Sequence, residues 1–549
     1  MLLSLKRINQ KPPMSVPARR MRLQHRRRSV PSIPRQLSVS LVFLLLCAPA
    51  YCRQSWWVHL GPDGKLVYAQ SSNGDRIPDF SYAGYRSGGV ALPVVAARVS
   101  IAPTGGADDT PSIQNALDTV AKLPPDAEGF HGAVELAPGT FHLAGTLKIT
   151  ASGVVLRGAG SADRNATVLE LTGAPHLAID IQGEFHQQAL APATMLTDAY
   201  VPAGSMVIHL ADASGIRHGD TLLIVKPVTP GWIHFMGMDQ LFRDGEPEVW
   251  VKNDIRVYRR VSSVTGNTVT LEVPLTDSFD SKFYQGFLPP VTRVEITGRI
   301  AEVGVEDLRI TAPNRSINYR QDPEFDGIQL NNVVDAWLRS LAFVNTTNSV
   351  RIDRGVARMT VTDVDVLQHD AVTSSAKPFD FSISGAQVLL DRCSGKGDKV
   401  FYVATQSQSE GPFVVLHCRF LGDGAIEPHQ RWSTGLLVDG CEVPNGSIDL
   451  KNRGDMGSGH GWTIGWSVLW NNKASSILVQ SPPGALNWSI GDRGEQTSAP
   501  MPTFGERDGF PLPRGIVESQ GKPVEPASLY LEQLRERLGP AAVAAIGDQ

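Results

Sequence analysis

Short apolar runs recur at a regular interval between Ile300 and Asn472. They are VEDLRI from Val305, LRSLAF from Leu338, VTDVDV from Val361, VLLDRC from Val388, VVLHCRF from Val414 and GLLVDGC from Gly435. Three apolar pairs sit 22 residues apart: Ile328 and Val350, Leu330 and Ile352, Trp337 and Met359. A period of 22 to 28 made of short strands and turns indicates a solenoid. Apolar and polar residues alternate within the runs, which is a strand pattern and excludes the helical solenoids. The pattern predicts a parallel β-helix, each turn of chain stacked on the last at about 4.8 Å with like residues on like. Cys393, Cys418 and Cys441, spaced 25 and 23 apart, then form an inward ladder of thiols whose role is packing. The polar neighbour of Cys418 precedes it by one residue (His417), those of the other two by two (Asp391, Asp439). This leaves the register open by one.

Other elements surround this repeat. ADDTPSIQNALDTV (Ala107 to Val120) puts Asp109 or Thr110 at a helix cap, with Ile113, Ala116, Leu117 and Val120 following at helical spacing. GAVELAPGTFHL from Gly132 and VVLRGAGSADRNATVLEL from Val154 come next. Between Thr194 and Asp280, Gly-Asp and Gly-Asn turns separate alternating strands, which predicts a small antiparallel insert. Its middle loop, WIHFMGMD, carries Trp232, His234 and Asp239, and such inserts shape binding clefts. The Gly-, Tyr- and Trp-rich stretch from Ser55 to Pro93 is expected to wrap the first coil. SLYLEQLRERLGPAAVAAIG is an amphipathic helix with Ser528 as its cap and a packing role.

The segments from Ala107, Gly132 and Val154 together resemble the opening of the pectate-lyase-like proteins, a superfamily of right-handed parallel β-helices. There a DDT…IQ.AL helix caps the solenoid, and V.LPPGTY.L and L.G.G…T.L stretches form the first coils. With the coil repeat, the resemblance covers about residues 99–490. It implies an all-β chain: a right-handed single-stranded parallel β-helix with an inserted small antiparallel β subdomain and short capping helices. The expected organisation is a basic leader (1–50), a wrapping segment (51–98), first coils (99–193), the insert (194–285), main coils (286–490) and a helical tail (491–549). The superfamily holds lyases, hydrolases, epimerases and phage tailspikes, so it implies work on carbohydrate without fixing the reaction.

The 52 Gly and 38 Pro are spread along the chain, as many turns and strands require. The first fifty residues stand apart. They hold ten Lys and Arg and no Asp or Glu, then LSVSLVFLLLCAPA ending in Ala48-Pro49-Ala50. This reads as a signal peptide cleaved before Tyr51, with Met14 and Met21 as alternative starts. Its apolar run is too short to span a bilayer comfortably. Ala50 and Tyr51 fit a lipobox at Cys52 poorly. The expected location is secreted, periplasmic or cell-surface, with no stable membrane span after cleavage. Ten of the 51 basic residues but none of the 55 acidic ones lie in the leader, so the remainder carries a net charge of −14 with His neutral. Such a chain is a poor general binder of nucleic acid, and positive charge facing an anionic ligand must be local. Five Cys in an exported chain of this size do not make a disulfide scaffold.

The chemistry is expected where polar clusters recur on adjacent coils. CSGKGDKVFYVAT holds Asp398, Lys399 and Tyr402. AIEPHQRWSTG holds Glu427, His429, Gln430, Arg431 and Trp432. KNRGDMGSGHGW holds Asn452, Arg453, Asp455, His460 and Trp462. Lys399 to Arg431 is 32 residues and Arg431 to Arg453 is 22, each about one coil plus a loop. His369 and Asp370 fall one coil earlier. Indole faces stack on sugar rings, and amides and guanidiniums bind hydroxyls and carboxylates. The patch predicts an exported enzyme acting on a polysaccharide, anionic by its cations, with Trp232, His234, His369 and Asp370 beside it. The lead reading is β-elimination from a uronate polymer, with Arg431 or Arg453 neutralising the carboxylate, His429 or Lys399 as base and Tyr402 or His460 as acid.

The alternative is hydrolysis by two of Asp398, Glu427 and Asp455. GSGHGWTIGW resembles the GHG.SIG stretch of polygalacturonases, with His460 as the supporting His. The Asn-Thr-Asp and Asp-Asp that accompany it there are missing from the preceding coils; the one Asp-Asp pair is Asp108-Asp109. A non-catalytic carbohydrate-binding or surface protein is the third reading. The bland alternatives are a packed edge position for His417, turn caps for Asp391 and Asp439, and an Arg453–Asp455 ion pair between coils. No cofactor is called for. No HExxH, His pair at ligand spacing or EF-hand loop occurs, and Ca2+ stays open because Asp residues on adjacent coils could hold it without a motif.

Overall fold

A computed structural model describes residues 53–547 except 163, 164, 244, 285–288, 370 and 505–508. The expected leader and Asp370 lie outside the described residues.

The chain winds as a parallel β-helix with three faces. Face A stacks the strands Gly132–Leu136, Val154–Arg157, Ile300–Glu306, Val333–Arg339, Ala357–Thr362, Ala386–Asp391, Glu410–Leu416, Ser433–Asp439, Ser467–Trp470 and Asn487–Ile490, all parallel. Face B begins with Gly139–Leu143 and Thr167–Leu171, face C with Leu147–Ile149 and Leu177–Gln182. Apolar residues fill the interior because the strand period of two sends alternate side chains inward on every coil. On face C, Ile179, Ile328, Val350, Phe381, Val403, Ile426, Ile448 and Ile477 stand in one register column, all buried. Each such side chain contributes about 1.5–3 kcal/mol by leaving water.

Each apolar run of the sequence crosses from the end of one strand into the corner before the next, so none is a single strand. All six bend from face A to face B at a single left-handed residue: Asp307, Ser340, Asp363, Arg392, His417 and Gly440, at φ between 49° and 63°. One αL residue turns the chain sharply without a loop. This settles the thiol register. Asp391 pairs with Leu416 and Leu416 with Asp439, so Cys393, Cys418 and Cys441 are level, and His417 matches Arg392 and Gly440 at the corner. All three thiols are buried and free. Of the three 22-residue pairs, Ile328 with Val350 and Leu330 with Ile352 are register partners. Trp337 pairs with Thr360 instead of Met359, which faces Ala336.

At the first coils, Ile113, Ala116, Leu117 and Val120 of the helix Thr110–Val120 are buried as expected. Asp109 stands at the N-cap as expected, but its side chain binds Thr104 and the His142 amide, and it is Asp108 that accepts from the Thr110 amide (2.9 Å). The antiparallel insert runs from His186 to Thr297, with its longest strand at Ile255–Thr265.

Face A is buried on its outer side too, which is why its outward positions Leu389, Val414 and Leu437 are apolar. Leu389, Val414, Leu437, Trp470 and Trp488 form one cluster with Phe80, Leu529, Tyr530 and Leu534. The N-terminal segment therefore does more than wrap the first coil. It travels along face A from Trp57, against Trp488, to the strand Ala97–Ile101 beside the first coil. The helix Leu529–Leu538, capped by Ser528 as expected, lies next to it. Asp439, fully buried, caps no coil turn but anchors this helix, accepting from Ser528 Oγ (2.7 Å) and the Tyr530 amide (2.8 Å).

Burial pushes the Asp439 carboxyl up to about 6 from an ordinary value of 3.8, against those hydrogen bonds. The folded chain thus holds this proton more tightly than the unfolded one, and the group's contribution to stability falls as pH rises from about 4 through about 6. Asp439→Asn keeps an acceptor for Ser528 and Tyr530 without the charge. Denaturant unfolding at pH 4, 6 and 8 should show the variant gaining on the wild type by up to about 2 kcal/mol across that range.

Candidate functional site

Face C carries a cleft of about 380 Å3 on its outer side, lined from the coil that begins at Ile300 to the coil that begins at Glu410. Two long corner loops raise its wall. Residues 312–325 and 368–378 pair with each other through Ser316–Ile317 and Ala371–Val372. The first loop delivers Tyr319 and Glu324, and the second leads into Phe379.

Asn348, almost fully buried, ties this end together. Its Oδ1 accepts from the Tyr319 hydroxyl (3.1 Å) and the Phe379 amide (3.2 Å). Its Nδ2 donates to Glu324 Oε2 (2.8 Å) and Asp326 Oδ1 (3.0 Å). Two carboxylates on one amide nitrogen bring these oxygens within about 6 Å of each other. Burial, and then the charge of Asp326, push the Glu324 carboxyl up to about 7; Arg351 and Asn348 hold it back. Burial raises Asp326 as well. Arg351 lies between Asp326 (3.9 Å) and Asp353 (4.0 Å), and Gln329 donates to Asp353 (2.6 Å).

The other end is amide and imidazole. Gln406 Nε2 donates to Ser382 Oγ (2.9 Å), and Gln406 Oε1 receives Gln430 Nε2 (3.2 Å) and meets His429 Nδ1 (3.1 Å). The His429 ring packs against Phe379, Phe401 and His460 at 5.1, 5.5 and 4.6 Å between centroids. Burial, then Arg453, His460 and Arg431, push His429 down to about 2. Burial, Arg453 and Arg431 take His460 down to about 3. Behind them Glu427 pairs with Lys451 (3.1 Å) and Arg453 (3.2 Å), and Lys451 also holds Asp449 (2.8 Å).

Of the residues predicted from sequence, Glu427, His429, Gln430, Arg453 and His460 come together here. Arg453 pairs with Glu427 and donates to the His429 carbonyl (3.2 Å); it does not pair with Asp455. Arg431 turns away to Ser458 and, at 3.4 Å, to Glu248 of the insert. Asp455 is buried and accepts from the Phe242 (2.9 Å) and Phe504 (3.1 Å) amides, and Asn452 accepts from the Gly454 amide (2.8 Å). Asp398 and Lys399 are exposed at the opposite end of the strand Phe401–Thr405, where Asp398 accepts from the Asp423 amide. Tyr402 points into the core and donates to the Gly397 carbonyl (2.9 Å). His369 is exposed, and His234 is exposed beside Asp239.

The indoles are core, not sugar platforms. Trp432 donates to Asp277 Oδ2 (2.9 Å), Trp466 to Asp277 Oδ1 (3.2 Å), and Lys226 also binds Asp277 (2.6 Å). Trp232 stacks on Trp250, and Trp462 donates to the Met236 carbonyl (3.1 Å). All are buried where the insert meets the coils, because the insert covers the face they would have opened on. Sequence reasoning passed over Tyr319, Glu324, Asp326, Arg351, Asp353 and Gln406. The available signal was YRQDPEFD, a dense polar-aromatic loop where neighbouring coils have a short corner. Among the described residues no group of three His, Cys, Asp or Glu could hold a metal, and no helix is long and apolar enough to cross a membrane.

No family model matches this sequence, and no curated protein matches it. Solved structures do. The tailspike protein of Pseudomonas phage LKA1 is 14% identical over 71% of this chain and 69% of its own, with a TM-score of 0.31. The tailspike of E. coli bacteriophage HK620 in complex with pentasaccharide is 9% identical over 77% and 65%, at 0.37. The mannuronan C-5 epimerase A-module of Azotobacter vinelandii is 11% identical over 76% and 95%, at 0.33.

The placement of Trp432 is directly testable. Trp432→Phe removes the donor to buried Asp277 and should cost about 1–3 kcal/mol in denaturant unfolding. Retardation in polysaccharide gels should stay as in the wild type, an outcome a sugar-stacking indole would not give.

Proposed function

We propose that this chain binds polysaccharide in the face-C cleft and cleaves it by glycoside hydrolysis. Glu324 is the general acid and Asp353 its carboxylate partner. The observation that carries this reading is Glu324: a carboxyl in a cleft, raised to about 7 by burial and by Asp326 at the same amide. Glycoside hydrolysis needs one carboxyl that keeps its proton near neutral pH and another that does not. Tyr319 and Phe379 offer ring faces to a sugar, and Arg351 offers hydrogen-bond donors to hydroxyls. Asp326 acts through Glu324, as a positioning and tuning neighbour.

Elimination from a uronate polymer is the second reading. Arg351 and Tyr319 line the same cleft, a cation for the carboxylate and a hydroxyl for the leaving oxygen. It draws less support because Lys399 and Tyr402, two of the groups first cast for it, stand elsewhere. Export of the enzyme rests on the leader alone.

The test is a screen of the chain from Tyr51 onward against polygalacturonate, alginate, hyaluronan, dextran and galactomannan, following reducing ends and ultraviolet absorbance together. Reducing ends without absorbance support hydrolysis; both rising together replace it with elimination. Glu324→Gln should lower kcat by about 100-fold or more with KM little changed. The wild-type kcat/KM should fall as pH rises through about 7, where Glu324 loses its proton, and the variant should lack that limb.

A further inference from the structure

We infer that His429 is a fixed, neutral hydrogen-bond acceptor that reads a sugar hydroxyl, a specificity-determining residue and not a base. The inference rests on the polysaccharide reading of the cleft.

Gln406 settles the tautomer. Its Nε2 is committed to Ser382 Oγ (2.9 Å), and its Oε1 already receives Gln430 Nε2 (3.2 Å). An amide oxygen only accepts, so His429 Nδ1, 3.1 Å from it, must carry the ring proton. Nε2 then keeps its lone pair, and among the described residues it makes no hydrogen bond with the protein. The ring cannot turn to exchange the two nitrogens, because Phe379, Phe401 and His460 pack around it.

A second proton is kept off by the surroundings. Arg453 donates to the His429 carbonyl, and Arg431 is near enough to bear on the ring. Glu427, the nearby carboxylate of the same segment, is engaged by Lys451 and Arg453. Across the cleft stand Glu324, Arg351 and Asp353. An imidazole pushed down to about 2 is too weak a base to take a proton near neutral pH. It remains an acceptor through the Nε2 lone pair.

The partner it fits is a donor: a free sugar hydroxyl. An ionised carboxylate has no proton to offer Nε2, so a uronate group would sit at the Arg351 end and the neutral part of the sugar at His429. A site built for a hydroxyl rejects the analogue lacking it, because its own group is left unpaired.

Two measurements decide this. Ring 15N shifts of the labelled chain between pH 4 and 8 should show His429 as the Nδ1–H form throughout. An Nε2–H signal, or titration with a midpoint above about 5, overturns the inference without any substrate being known. Affinity electrophoresis in gels of polygalacturonate, alginate and dextran reads the contact itself. His429→Phe keeps the ring slot and should weaken retardation at least about tenfold. His429→Gln, which can place an amide oxygen near the position of Nε2, should recover most of it. Equal retardation of wild type and His429→Phe overturns this inference alone. A wild type retarded in none of the gels overturns it together with the polysaccharide reading.

Discussion

The constraint on which everything else depends is in-register parallel stacking. Each coil must present its strands one spacing, about 4.8 Å, above the last, with inward and outward positions preserved. A slip of one residue would turn the Ile179–Ile477 column to water. The left-handed corners enforce that register, since a bend made by one residue has no slack to absorb an insertion. Extra chain is therefore pushed out where a slackless corner is not needed, between faces B and C, as at residues 312–325 and 368–378. The solenoid fixes where its cleft can form before any cleft residue is chosen.

This explains what could be read in advance. The coil period, the capping helix, the Ser528 cap and the thiol ladder are local or periodic features, and periodicity survives in a bare sequence. The pairs Ile328–Val350 and Leu330–Ile352 are read at their true register because no loop separates them. Trp337 and Met359 mislead by one position, because the corner from Ile352 to Ala357 is one residue longer than the one from Leu330 to Val334 and a count made on face C does not see it. The cleft is harder. Glu324 matters because Asn348, a coil later, binds it and Asp326 together, and no spacing rule announces a buried amide that serves two acids. The indoles were misjudged for a related reason. Trp432 looks like a sugar platform until the insert, more than 150 residues upstream, brings Asp277 to its nitrogen.

Desolvation acts in opposite senses at the two ends of the cleft. At Glu324 it stabilises the protonated carboxyl; at His429 it stabilises the unprotonated imidazole. Below about pH 7 both groups are neutral as a result, although residues 51–549 carry a net charge of −14 with His neutral. A neutral acid beside an ionic lattice of Arg351 and Asp353 can give up its proton when a developing charge on a leaving oxygen demands it. A neutral imidazole held by Gln406 can only accept a hydrogen bond. One physical effect thus yields two chemical roles, divided by which form of each group carries the charge.

The buried ion cluster behind His429 follows from the same reasoning. None of Glu427, Asp449, Lys451 and Arg453 lines the cleft, and burying Glu427 and Arg453 for stability alone is a poor bargain when apolar packing would serve as well. Their arrangement does something apolar packing cannot. Arg453 reaches from Glu427 to the His429 carbonyl and lays its guanidinium over Phe401, 5.3 Å from the ring centre, so one side chain fixes both the backbone that carries the imidazole and a ring that confines it. The pairing with Glu427 holds that guanidinium in place, and Lys451 offsets the remaining acid. The cluster is the support that gives His429 a single orientation, and its Arg453 charge, next to the ring, helps to keep the imidazole unprotonated.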